Sequence, residues 1–168
     1  MRGLAAASVL LALLVPAQLP AQAADSDPKP VPKGGPREKA IIAYNDGVKL
    51  MLDRKFAEAQ ARFETAVSLD ATIPEAHNNL AFSLRAQGAA NFKRALEHYD
   101  RALSLKPDFP RAIMYRGVLF VQMGDLDRAR AALVRLKPMD AKLAEQLDEA
   151  IRSYPMGDGY DSLSPQFD

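Results

Sequence analysis

The chain has 168 residues, 48% of them hydrophobic and 26% charged, and its 22 lysines and arginines stand against 21 acidic residues for a formal net charge of +1. That size suits one compact or short solenoid domain, and so even a charge balance gives no bulk attraction to nucleic acid or an anionic membrane surface. Cysteine is absent, which excludes disulfides, thiolate catalysis and a lipidated N-terminal cysteine, so the lipoprotein class is excluded too.

Residues 1–23 read as a secretory signal peptide. Arg2 gives a minimal basic start, Leu4 to Val15 form an apolar run interrupted by Pro16, and Ala21-Gln22-Ala23 offers small residues for cleavage. The run is short for a membrane span of about 20 residues, so cleavage with no later membrane insertion is expected, placing the protein in the periplasm or outside the cell. Arg2 is the sole charged residue of this stretch, so its removal leaves the remainder neutral.

Residues 24–36 carry Pro28, Pro30, Pro32, Pro36, Gly34 and Gly35 with no apolar periodicity. The expectation is an extended, disordered linker that provides reach without structure. Pro36 then suits the first turn of a helix.

From there the apolar spacing is helical, and turn signals divide the chain into pairs. Helices are expected over about Pro36–Leu52 and Phe56–Leu69, Glu75–Ala86 and Phe92–Leu105, then Arg111–Met123 and Leu126–Lys137. The pairs share a register. Ala59, Phe63 and Ala66 recur as Ala95, Tyr99 and Ala102 and again as Ala129, Leu133 and Leu136. Gly47 to Ala81 and Ala95 to Ala129 both span 34 residues, whereas Ala81 to Gly117 and Ala59 to Ala95 both span 36, so a two-residue insertion in the Gln87–Asn91 turn accounts for the longer steps. Small residues at these points let paired helices approach closely. Asp140 is a plausible N-cap for a seventh helix to about Ser153, with Leu143, Leu147, Ala150 and Ile151 on one face, which would close the open end of a stack. Residues 154–168 are expected to be a disordered tail, although Tyr160, Leu163 and Phe167 could serve as anchors for docking into the molecule's own groove.

This period and these landmarks resemble the tetratricopeptide repeat (TPR) family. The likeness covers about Pro36 to Lys137, as three repeats over 40–73, 74–109 and 110–139 within a segment 37–139, followed by the capping helix 140–153. It implies an all-α, right-handed superhelix whose concave side is lined by the first helix of each pair. On that basis the partner-binding groove comprises Tyr44, Val48, Met51, Asn78, Phe82, Arg85, Arg111, Met114, Val118 and Val121, with Val48 and Val118 also readable as core between repeats. Some family members clamp a partner's C-terminal carboxylate with two asparagines and three basic residues. Here Asn79 and Arg111 match that pattern while Tyr44, Val48 and Tyr115 depart from it, so carboxylate-clamp recognition is not expected.

No catalytic constellation, metal-ligand spacing or phosphate-cradling loop stands out, so neither an enzyme nor a cofactor is expected. His77 and His98 lie on different helices of one pair and read as structural. The overall expectation is an exported bacterial adaptor that binds a protein or peptide segment in its groove during assembly of a larger complex. A self-associating structural module is the alternative, and an enzyme's accessory subunit ranks below both.

Overall fold

The computed structural model describes residues 25–154, and these contain seven α-helices and no strand. They are α1 (Pro36–Leu52), α2 (Phe56–Leu69), α3 (Pro74–Ala86), α4 (Phe92–Leu105), α5 (Pro110–Gln122), α6 (Leu126–Leu136) and α7 (Ala141–Arg152), with a short 3-10 turn at Ala89–Asn91. The expected signal peptide with its cleavage site, and the expected tail beyond Tyr154, lie outside the described residues.

Proline opens the first helix of every pair, at Pro36, Pro74 and Pro110, where its missing N–H costs nothing and its fixed φ favours the helical start. Two later helices begin on side-chain caps. Asp125 accepts a hydrogen bond from the Arg128 N–H at 2.9 Å, and Asp140 accepts one from the Leu143 N–H at 3.0 Å. After α2, where the repeat register leaves Ala71 in place of proline, the Asp70 carboxylate accepts from the Thr72 N–H at 2.9 Å and so makes the turn by a side chain. The two-residue insertion is absorbed by the 3-10 turn that leads into α4.

Successive helices pack on one another from α1 to α6, and α1, α3 and α5 also touch in sequence along one side. The core runs the length of this stack. Ala59, Phe63, Ala66, Ala95, Tyr99, Ala102 and Ala129 are fully buried, so the small-and-aromatic pattern is the seam between paired helices. Gly47 exists to receive an aromatic ring, since a Cβ there would fall 2.7 Å from Phe63 Cε1. Gly117 makes the corresponding notch in the third pair, but it receives Leu147 from α7, whose Cδ2 would lie 2.6 Å from an added Cβ. Accordingly α7 packs on both α5 and α6 and buries Ala144 and Leu147.

Residues 25–35 depart from expectation. They are extended and outside any helix, as proline-rich chain should be, yet they are not a free tether. They lie against α1, α3 and α5, held by hydrogen bonds and ion pairs. The physical reason is that α1 and α3 present amide side chains matched to an extended main chain while α5 offers Arg111 to Asp25, features that composition of the linker does not reveal.

Candidate functional site: a groove that grips extended chain

Two asparagines define the site. Asn45 on α1 and Asn79 on α3 stand 34 residues apart, the same register position in successive pairs. Asn79 Oδ1 accepts from the Asp25 N–H at 3.2 Å while its Nδ2 donates to the Asp25 carbonyl at 2.9 Å. Asn45 repeats this on Lys29, accepting from its N–H at 2.8 Å and donating to its carbonyl at 2.9 Å. Each amide therefore satisfies both main-chain groups of one residue, as a neighbouring β-strand would.

Surrounding groups fix the amides in place. Asn78 Nδ2 donates to Asn79 Oδ1 at 3.1 Å, which sets the orientation of the Asn79 amide, and the Tyr44 hydroxyl donates to the Asp25 carbonyl at 3.1 Å. Burial, with a further contribution from nearby Asp25, pushes the Tyr44 phenol far above its ordinary range, so it stays a neutral donor.

Side-chain charges are sorted along the strap. Arg111 Nη1 reaches the Asp25 carboxylate at 3.2 Å, and Lys29 Nζ reaches Glu75 Oε2 at 3.2 Å while lying 5.8 Å from the centre of the Tyr44 ring. Glu75 also faces Lys106 at 3.6 Å. Burial raises the Asp25 pKa above the usual carboxylate value despite the opposing pull of Arg111, so charge selects the sign of this side chain more than it tightens the grip. Pro28 and Pro30 flank Lys29 and hold the chain extended, leaving Lys29 as the N–H donor between them.

Of the ten groove residues expected from the sequence, the structure brings Tyr44, Asn78 and Arg111 to this strap. Phe82 and Arg85 belong to a second cluster further along. The Phe82 ring meets Tyr115 edge-on at 5.2 Å and Phe56 at 5.9 Å, while the Arg85 guanidinium lies 5.2 Å from the Phe82 ring and donates to Gln122 Oε1 at 3.1 Å. Arg85 is only 8% exposed, and it lies beside Tyr99, whose phenol burial pushes up to about 12. An arginine so occupied is a packing residue rather than a hand extended to a ligand. Val48, Met51, Met114, Val118 and Val121 are likewise buried, between 0% and 4% exposed. The open concave wall drawn from sequence is thus narrower than expected, because most of its apolar members are withdrawn from water.

Asn45 and Glu75 were missed. Their signal was available in the register, since Asn45 aligns with Asn79, and Glu75 with Arg111 after the insertion, giving amides at one position and opposite charges at another. Among the described residues no group of three or more acidic or histidine side chains is placed to hold a metal, and no helix is long and apolar enough to cross a membrane.

The tetratricopeptide repeat family model matches residues 86–151. The described fold is also shared with the TPR domain of Arabidopsis OM64, at a TM-score of 0.65 and 15% identity over 72% of this chain and 100% of that one. Residues 86–151 therefore match the tetratricopeptide repeat, and the described helices share the fold of a TPR domain. A second neighbour in fold is the Yersinia enterocolitica type III secretion chaperone SycD in complex with a peptide of the translocator YopD, at a TM-score of 0.60 and 16% identity over 67% of this chain and 89% of that one. In sequence, this chain is 26% identical over 129 residues to the photosystem I assembly protein Ycf3 of Rippkaea orientalis, covering 76% of the chain and 74% of the relative. The Ycf3 of Synechococcus strain CC9902 is 30% identical over 105 residues, with 60% of this chain and 59% of the relative covered.

Proposed function

We propose that this TPR protein is an exported, non-catalytic scaffold whose groove holds an extended segment of a protein partner while a multiprotein complex is assembled in the cell envelope. The observation that carries the reading is the paired grip of Asn45 and Asn79, each satisfying both main-chain groups of one strap residue. Such a grip recognises polypeptide as polypeptide, needs no chemistry of bond making, and is repeated at the spacing of the helical pairs. Similarity to proteins named for photosystem assembly, and a fold shared with a chaperone caught with a peptide, support the assembly role. Export is supported by residues 1–23 alone.

The test is site-directed photocrosslinking in cells of the native host. A photoreactive residue replacing Lys49, on α1 one turn past Asn45, is expected to link the protein to a specific polypeptide, and Asn79→Ala should abolish that product. The same reporter at Arg94 on α4 serves as the comparison. Equal products from the two positions, insensitive to Asn79→Ala, would remove the groove from the function. Intact mass of the recovered protein checks export, the expected species lacking residues 1–23.

A further inference from the structure

Building on the scaffold reading, we propose that residues 25–29 are a resident competitor for the groove. The outside partner they stand in for is an extended polypeptide segment with an acidic side chain followed four residues later by a cationic one.

Recognition divides into two layers. Asn79 and Asn45 hold main chain and accept any non-proline residue at the first and fifth positions. Arg111 and Glu75 supply the choice of side chain at those positions, one of each sign, and they occupy one register position in neighbouring repeats. Four residues of extended chain span about 13 Å, enough to cross from α3 to the neighbouring α1 at ordinary helix separations of about 8–10 Å. A peptide running in the opposite sense would set its cation against Arg111 and its acid against Glu75. Polarity of the charges therefore also fixes the direction of the bound chain.

The strap is built to leave. It contributes no buried apolar anchor, since Val31 is 45% exposed, and its carboxylate is partly desolvated beside a single arginine. What keeps it in place is its short connection to α1 through residues 30–35, which gives a high effective concentration without a strong contact. A partner carrying the same charge pattern plus an apolar anchor would displace it.

The experiment uses the full chain and a fluorescent peptide of residues 25–33 as probe, read by anisotropy. A strap-released variant combines Asp25→Lys, which repels Arg111, with Lys29→Pro, which deletes the N–H that Asn45 accepts. It is expected to bind the probe at least about tenfold more tightly than the parent, because the tethered competitor is gone. A probe with Lys at its first position and Asp at its fifth should bind at least about tenfold more weakly than the native probe, and Arg111→Ala in the released chain should narrow that gap. Equal affinity of parent and released chains would overturn the competitor while leaving the groove intact as a peptide site. Equal affinity for native and swapped probes would overturn the charge pattern. Failure of the released chain to bind either probe, with its far-UV circular dichroism unchanged, would overturn the inference and take the groove reading with it.

Discussion

Two segments outside the helical pairs lie on the array, and they are attached by opposite means. The cap α7 is held by apolar burial, with Leu147 seated in the notch left by Gly117 and Ala144 beneath it. The strap 25–35 is held by amide hydrogen bonds and two partly exposed ion pairs, with hardly any apolar surface of its own. Burial of a leucine is worth a few kcal/mol and is insensitive to salt, whereas hydrogen bonds and part-exposed ion pairs exchange for water at a net of about 1 kcal/mol or less each. The cap is therefore part of the fold, and the strap is a ligand that happens to be covalently attached.

The largest effect should come from the cap. Leu147→Ala is expected to cost about 2–5 kcal/mol in chemical denaturation, because it empties a closed notch that the backbone at Gly117 cannot refill. A loss below about 1 kcal/mol would reduce α7 to an ornament like the strap.

Ala95→Leu in the interior seam should cost about 1–3 kcal/mol by overpacking, since Ala95 is fully buried between α3 and α4. Ala90, exposed in the inserted turn, should accept the same change with little consequence. Equal denaturation midpoints for the two variants would contradict the seam.

Acid should loosen the array at a place neither segment touches. His77 Nε2 faces the Ala71 carbonyl at 3.2 Å and must carry its proton there, leaving Nδ1 to accept from His98 Nδ1–H at 3.1 Å. Burial holds both imidazoles below the ordinary value of 6.5, with Arg101 adding to the effect at His77, and His77 and Arg94 opposing Glu97 and Glu64 at His98. A histidine whose folded pKa is depressed binds fewer protons folded than unfolded. Stability should accordingly be full above about pH 6.5 and fall as pH drops through that value toward the lower folded pKa. Replacing His77 with Asn should flatten this part of the profile. An unchanged slope would place the proton linkage on groups other than His77.

The smallest effect on stability should come from the strap. Asn45→Ala is expected to shift the midpoint by less than about 1 kcal/mol, while the Lys29 amide, which donates to Asn45 at 2.8 Å, exchanges with solvent at the rate of open chain. If global stability fell as far as in Leu147→Ala, the strap would belong to the fold after all.

The repeats were legible from sequence because their landmarks are steric. Small residues at Ala59, Ala95 and Ala129, prolines at helix starts and the two extra residues before α4 each leave a mark at fixed spacing, and helix limits fell within a residue or so of those expected. The groove was less legible. Met114 and Val121 look the same in a helical pattern whether they face a partner or the interior, and periodicity cannot tell which face of α5 is left open. The strap was least legible, since proline-rich chain gives no periodic signal and its order is supplied by residues 16 to 86 positions away. Matching asparagines at one register position was the clue that could have been read.

The seat of Leu147 in Gly117 has a consequence for valency. A solenoid open at both ends can stack head to tail and grow into a filament, whereas a solenoid plugged at one end has a single stacking face left. With α7 lodged against α5 and α6, the described helices leave α1 and α2 as the uncapped end of the stack, and copies that met there would end as a closed pair instead of a growing polymer.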